Sequence, residues 1–536
     1  MLPENPKNHA DLLARFRWNI PERFNIGTAC ADDIARLTPD RPAIIDYADG
    51  EPRTLSFKQL AERSSRFAAA LKGIRIRRGE RVAVMLPQSI EAAIAHLGIY
   101  KLGAIAVPLA MQFGPEAMQH RLATSGARAL IADMIGLERL ASIQSSIPAL
   151  EFRISVDGTE ATHDFNSLIS KASAQFSIAD TSPNDPAMML FTSGTTGQPK
   201  GTLHAHRVLL GHLPGIQMAQ GFMPQKDDRL WTPSDWAWAG GLLNALLPAL
   251  YCGVTVVAAR APKFEVDWAI NLIKKAGVRN IFMPPTALKL MQANLSKLPE
   301  LNIRSIGSAG EALGGQTLEW AKEHFGVSIN EFYGQTECNA VISACHEIGT
   351  VKPGSMGKSV PGHQVTILNE SGSAVQTGET GEIAIHNDSP VMFLRYFDNK
   401  TETERKFNGE WMLTGDRAYR DEDGYFHFVG RNDDIIISAG YRIGPAEIED
   451  CLTAHPAVEL AAVTGKADAT RTQIIVAHIK LVEHEHPSEQ LKQHIRNFVK
   501  TRLSAHEYPR EIIFVDDIPM TESGKIIRRA FRNQTA

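Results

Sequence analysis

The sequence predicts an α/β protein: a large N-terminal part of parallel-sheet α/β subdomains with a β-barrel-like section, then a small α+β C-terminal domain. Three observations predict it. Short β-rich runs alternate with helical patterns through the first 340 residues, and Gly-rich turns separate short strands after about residue 350. Beyond GRNDD (430–434) a compact mixture of strands and helices closes the chain.

Each element follows from local pattern. RVAVML (81–86) precedes the helical SIEAAIAHLGIYKLG, and AVPL follows it. VDWAINLIKKAG precedes NIFMPP, and SIGSAG precedes the helical GQTLEWAKEHFG. Repeated strand–helix–strand units mean parallel sheets covered on both faces. NESGSAVQTGETGE marks the antiparallel, barrel-like section. In the last part GPAEIEDCLTAH reads as a helix with Pro445 at its start, VELAAVTG and TQIIVAHIKL as strands, and SEQLKQHIRNFVKTRL as a helix. The boundary is expected at Asp433, giving domains 1–432 and 433–536.

Bulk properties narrow the function. A chain of 536 residues exceeds one core, and its composition, 43% hydrophobic and 22% charged, is that of a soluble globular protein. A net charge of -4 supplies no basic field for nucleic acid. The five scattered cysteines form no CxxC pair and argue for free thiols in a reducing compartment. MLPENPKNHADLLARF lacks the apolar run of a signal peptide. The uncharged stretch 239–259 is interrupted by Pro248 and Gly253, so a buried helix followed by a strand is expected, not a membrane span. A cytoplasmic or other soluble location is expected.

MMLFTSGTTGQPKG (188–201) places an apolar strand before a loop of hydroxyl residues, glycines and a lysine. Glycines let backbone N–H groups turn toward an anion, hydroxyls add donors, and Lys200 adds a compact charge. Thr192, Ser193, Gly194, Thr195, Thr196 and Gly197 are the candidate phosphate-binding residues. Pro199 before the lysine and Gly201 after it exclude the GxxxxGK[ST] spacing of Walker-type NTPases.

The loop resembles the signature of the adenylate-forming superfamily, which includes acyl-CoA synthetases, luciferases and peptide-synthetase adenylation domains. FYGQTE (332–337), LTGDRAYRDEDGYFHFVGRNDDIIISAGYRIGPAEIE (413–449) and PMTESGKIIRR (519–529) are similar to its later motifs, in the same order. The resemblance spans essentially the whole chain and is closest to the medium-chain acyl-CoA synthetase branch. It implies two steps: a carboxylate attacks the α-phosphate of ATP, and a thiol, usually coenzyme A, then displaces AMP. Catalysis of that kind is mainly positioning and electrostatics.

By resemblance, Tyr333 stacks on adenine with Phe332 beside it, Gly310, Glu311 and Ala312 lie on the opposite face, and Glu331 reads the adenine amine. Thr336 lies beside the α-phosphate and Glu337 coordinates Mg²⁺, which needs few protein carboxylates. Asp416 accepts both ribose hydroxyls with Arg431 as helper. Asp433 is the hinge about which a mobile C-terminal lid rotates. Lys525 bridges acid and α-phosphate in the first step only, and Arg442 meets phosphate in the same arrangement. Ala439, Gly440 and Tyr441 line the pantetheine tunnel, and Arg471 lies near the coenzyme A nucleotide. Pro519 and Gly524–Lys525 resemble a site acylated by protein lysine acetyltransferases, which would remove the lysine's charge.

For the acid, the resemblance puts Gly334 where acetyl-CoA synthetases carry tryptophan, so the space is expected to be open to acids larger than acetate. Trp238, in SDWAWAGGLLNALLPAL (234–250), is the expected wall residue, with Trp236 as an additional bulky group. No basic residue there meets a second carboxylate, so a monocarboxylic acid of medium-chain, branched or aromatic type is expected. The reading is an acid:CoA ligase using ATP, Mg²⁺ and coenzyme A. Its alternatives are an enzyme loading a separate carrier-protein thiol, a luciferase-like oxygenase, and a non-catalytic nucleotide-binding regulator. The last predicts loss of Glu337, Asp416 or Lys525, and all three are present.

Overall fold

A computed structural model of the chain describes every residue except 48–50, 159–160, 174, 193–198, 260–263, 296–299, 312, 433, 439–440, 469–470, 504–507, 522–525 and 533–536. The alternating strands assemble into two large sheets. One has eight strands in the order Arg395–Tyr396, Lys200–Ala205, Pro186–Thr192, Ile105–Pro108, Arg81–Met85, Ala129–Ala132, Phe152–Ser155 and His163–Asp164. The other has nine: Lys358–Ser359, Asn339–Ser343, Ile329–Gln335, Ser305–Ser308, Asn280–Phe282, Arg229–Trp231, Thr255–Ala258, Pro42–Asp46 and Arg53–Ser56.

Both interiors are parallel, as the strand–helix alternation predicts. Each sheet nevertheless has an antiparallel margin. Pro186–Thr192 and Lys200–Ala205 form an antiparallel hairpin, and so do Ile329–Gln335 and Asn339–Ser343. Two neighbouring strands with only a few residues between them can pair antiparallel, whereas a parallel partner needs a long crossover. The phosphate loop and the QTE segment are the connections of these two hairpins, so both motifs sit where a sheet reverses direction.

One apolar core joins the sheets, with Val82 and Met188 from the first and Ile44 and Val256 from the second. The helices Ile90–Leu102 and Val208–Ala219 lie in it and are buried on every side. Ile90–Leu102 starts on the Ser89 side chain, which accepts from the Ala92 N–H, and stops at Gly103, whose φ is 73°. Such helices are apolar all round because they have no solvent face.

The uncharged stretch forms Ala239–Gly241, a π turn at Leu242–Leu246, the helix Leu247–Tyr251 and the strand Thr255–Ala258. Pro248 does not break this helix, contrary to expectation. It stands in the first turn after the π turn, where hydrogen bonding is already rearranged and a missing N–H costs little. Gly253, at φ 68°, is where the chain leaves the helix. Among the described residues no helix is long and apolar enough to cross a membrane.

The barrel-like section is a five-stranded antiparallel sheet in which Gly381–His386 and Phe426–Arg431 both pair with Trp411–Arg420. Trp411–Arg420 alternates between buried and half-buried residues, the period of a strand with one face in the core. After residue 435 a separate sheet contains Ile436–Ser438, Tyr441–Ile443, Val458–Asp468, Thr472–Leu481 and Glu511–Phe514. With the helices Pro445–Thr453 and Glu489–Arg502 it encloses a core of its own, built on Ile448, Leu452, Val463, Ile475, Ile495 and Val499. The expected boundary residue Asp433 lies outside the described residues. The helix Pro445–Thr453 begins pressed against the strand Phe426–Arg431: a Cβ on Gly444 would stand 1.7 Å from the Val429 carbonyl oxygen. All five cysteines are free.

Candidate active site

The two motif hairpins bring their residues together across a short distance. Thr192 and Lys200 face each other as the last and first strand residues around the phosphate loop. Ser193, Gly194, Thr195, Thr196 and Gly197 lie outside the described residues. Lys200 makes an ion pair with the Glu402 carboxylate, and its ammonium lies 5.2 Å from the centre of the Tyr396 ring. The Tyr396 hydroxyl donates to Glu337 Oε1 at 2.5 Å. One strand edge holds these groups in place, since Tyr396 pairs antiparallel with Thr202. Burial pushes the Tyr396 phenol well above its ordinary value, and the neighbouring Glu337 charge adds to this. At working pH it is therefore a hydrogen-bond donor.

Glu337 is buried at 8% exposure, and among the described residues no hydrogen bond reaches its other oxygen. A single buried carboxylate with one free oxygen suits Mg²⁺, which keeps most of its waters and shares substrate phosphates. Among the described residues no group of three acidic, histidine or cysteine side chains could hold a metal alone, so the fit is to a metal arriving with phosphate. Thr336 is half-buried beside it, next to His204 of the strand Lys200–Ala205. Burial depresses the His204 imidazole to about 3, so the ring is neutral.

A second cluster forms on Asp416, which is 5% exposed. Its Oδ2 accepts from the Tyr333 hydroxyl at 2.7 Å and from Gln335 Nε2 at 2.5 Å. Arg431 is its cross-strand partner and holds Nη1 3.8 Å from Oδ1. The strand carrying FYGQTE is thereby tied to LTGD, although 79 residues separate Gln335 from the Thr414 carbonyl it also reaches. Asp416 has one oxygen engaged and one facing an arginine, an arrangement able to accept further hydroxyl donors.

The adenine-side residues are placed less tightly. Gly310 is exposed, and the Thr286 hydroxyl donates to Glu311 Oε2 at 3.0 Å; Ala312 lies outside the described residues. Glu331 is 7% exposed, and burial raises its carboxyl to about 8, with Asp450 adding to the shift. Phe332 packs into the core against Phe282 at 5.8 Å.

Gly334 requires a correction. The expected open space is not there: a Cβ would lie 1.6 Å from the Asn339 carbonyl oxygen and 2.9 Å from the Ala340 nitrogen. The hairpin turns back so tightly, with a bulge between Tyr333 and Gly334, that backbone fills the side-chain position. Glycine is there for close approach of two backbones. Trp238, the expected wall residue, is half-buried and edge-on to Phe113 at 5.6 Å. Among the described residues its indole Nε1, like that of fully buried Trp236, meets no hydrogen-bond partner.

In the C-terminal sheet, Tyr441 and Arg442 lie on a strand paired with Ile436–Ser438. Ala439, Gly440 and Lys525 lie outside the described residues. Arg471 is half-buried on a turn, one residue before Thr472, which pairs with Ser438. Gln335, Tyr396, Glu402 and His204 were not anticipated. Gln335 stood inside a recognised motif, but nothing in FLRYFDNKTETE (393–404) announces that it folds against the strand Lys200–Ala205.

Comparisons with known proteins agree with this geometry. Residues 31–397 match the AMP-binding enzyme family, and residues 447–525 match the AMP-binding enzyme C-terminal domain. Acyl-coenzyme A synthetase ACSM3, mitochondrial, of Mus musculus is 32% identical over 99% of this chain and 94% of its own. Acetyl-coenzyme A synthetase of Bacillus subtilis (strain 168) is 32% identical over 98% of this chain and 95% of its own. The crystal structure of the anthranilate CoA ligase AuaEII in complex with anthranoyl-AMP is similar with a TM-score of 0.88 at 29% identity, covering 96% of this chain and 98% of that one. The chain belongs to the AMP-binding enzyme family, within which it is an acyl-CoA synthetase.

Proposed function

We propose that this AMP-forming acid:CoA ligase acts on a monocarboxylic acid larger than acetate, of medium-chain, branched or aromatic type. As an acyl-CoA synthetase it uses ATP, Mg²⁺ and coenzyme A. The observation that carries the assignment of its site is the meeting of Tyr333, Gln335, Asp416 and Arg431 beside Glu337, Tyr396 and Lys200. With the Gly334 side-chain position filled by backbone, the size reading rests on the likeness to an anthranilate CoA ligase, which supports an aromatic acid, and the likeness to an acetyl-coenzyme A synthetase makes acetate the competitor to exclude.

In this reading Asp416 accepts the ribose hydroxyls while Arg431 keeps its carboxylate oriented. Tyr333 offers its face to adenine, with its hydroxyl fixed by Asp416. Glu337, oriented by Tyr396, would hold Mg²⁺, whose charge offsets that of the phosphate oxygens. Lys200 neutralises the departing pyrophosphate, and Lys525 bridges the acid carboxylate and α-phosphate as the mixed anhydride forms. The C-terminal domain then turns about Asp433, bringing Ala439, Gly440, Tyr441 and Arg471 to coenzyme A.

A panel of acetate, isobutyrate, octanoate and benzoate, assayed for pyrophosphate release and AMP with and without coenzyme A, tests this. Octanoate or benzoate should exceed acetate in kcat/KM by about tenfold or more, the discrimination a few methylenes can give. A preference for acetate would overturn the size assignment. Lys525→Ala should abolish acid-dependent ATP–pyrophosphate exchange yet still form thioester from supplied acyl-adenylate. Equal loss of both half-reactions would remove Lys525 from its role.

A further inference from the structure

The ion pair between Lys200 and Glu402 joins the phosphate-loop motif to a segment 202 residues further along the chain. The segment around Glu402 is fixed in place. The Phe397 N–H donates to the Gly201 carbonyl at 2.7 Å, and the Tyr396 N–H donates to Thr403 Oγ1 at 3.0 Å. The Asn399 side chain caps the helix Lys400–Arg405 through the Glu402 N–H at 3.2 Å. Glu402 therefore meets Lys200 from a backbone clamped to the same strand.

The carboxylate is shared between two cations. One oxygen takes the Lys200 ammonium, and Arg405 Nη1 donates to the other at 2.6 Å. These partners hold the carboxyl below its ordinary value, so it is charged at working pH. The Lys200 and Glu402 side chains are 25% and 28% exposed, an intermediate setting in which a charge pair is only partly screened.

We infer that Glu402 is a positioning residue that weakens the enzyme's hold on pyrophosphate by competing for Lys200. The inference rests on the proposed role of Lys200 at the departing phosphates. A pyrophosphate oxygen reaching the ammonium meets a carboxylate already bound to it, and the two anions repel. The hold on ATP weakens as well, which raises the KM for MgATP, while weaker binding of pyrophosphate speeds its departure. Faster release draws the reversible adenylation forward.

The test is product inhibition in the full-length enzyme. Glu402→Gln keeps size and a hydrogen-bond acceptor but removes the charge. It should lower the inhibition constant of pyrophosphate about two- to fivefold and lower the KM for MgATP by a similar factor, as loss of one partly screened charge predicts. Arg405→Gln, which leaves the whole carboxylate to Lys200, should shift the pyrophosphate constant upward. In a Lys200→Met background the Glu402→Gln shift should vanish.

A lower melting temperature with an unchanged pyrophosphate constant would reduce Glu402 to a structural clamp and overturn the inference. A shift that persists without Lys200 would overturn it too. If the wild-type enzyme shows no acid-dependent ATP–pyrophosphate exchange, the reading of Lys200 itself fails. If exchange is intact but Glu402→Gln changes neither constant, only the inference fails.

Discussion

Tyr396 and Gly334 show how single residues shape this site through what they exclude. The phenol of Tyr396 fixes one oxygen of Glu337 and spreads its ring beneath the Lys200 ammonium, so one side chain orients both a carboxylate and a cation. Tyr396→Phe keeps the ring and loses the hydroxyl. Its Mg²⁺ requirement for half-maximal rate should rise about tenfold with little change in melting temperature, since one charge-assisted hydrogen bond is worth about 1.5–3 kcal/mol. An unchanged Mg²⁺ titration would separate Tyr396 from the metal. Gly334 has the opposite character. Gly334→Ala puts a methyl into the Asn339 carbonyl, and a loss of about 3 kcal/mol or more is expected in denaturant titration, with activity falling because the turn holding Thr336 and Glu337 moves.

At the level of elements, the hairpins do what isolated motifs cannot. Each places a loop at a reversal of sheet direction, and the strand Trp411–Arg420 brings Asp416 to Tyr333 and Gln335. The helix Pro445–Thr453 is joined to the chain's last part by Arg528. That guanidinium donates to Glu449 Oε1 at 2.7 Å and to Asp434 Oδ2 at 3.0 Å. Glu449 is 7% exposed, so Arg528→Met strands a buried carboxylate. About 3–5 kcal/mol of local stability should be lost, seen as faster hydrogen exchange over 445–453, and no change there would show the pair to be dispensable.

Much of this level was legible in the sequence: the strand–helix alternation, the helix starting at Pro445 and the antiparallel middle section all follow from local pattern. Three features were not. Pro248 sits inside a helix because a π turn precedes it, Gly334 answers to the backbone at Asn339 that doubles back onto it, and Tyr396 reaches Glu337 only through tertiary pairing with Thr202. Local periodicity carries no information about a rearranged turn, a doubled-back backbone or a distant strand partner.

The whole molecule is organised by one core joining two sheets, and it buries histidines as neutral side chains. Burial lowers His96, His206 and His363 to about 4, and His204 and His212 to about 3. Each lies below its unfolded value near 6.5, so their contribution is complete above that pH and is lost as pH falls toward 4 and then 3. Each can cost up to about 1.4 kcal/mol per pH unit in this window. Glu331, raised to about 8, acts in the other sense: its contribution is complete below about 4.5 and is lost as pH rises toward 8. Five groups outweigh one, so the melting temperature should drop steeply between pH 6.5 and 4. A flat profile over that range would mean these imidazoles are accessible to protons.

The indole of Trp238 has a practical use. It stands edge-on to Phe113, half-buried, with an N–H that no group among the described residues accepts. Indole emission responds to the polarity around it, so under the proposed placement of the acid beside Trp238, binding should change the protein's own fluorescence before any bond is made. Candidate acids can then be ranked by titration in the absence of ATP, and Trp238→Phe supplies the blank.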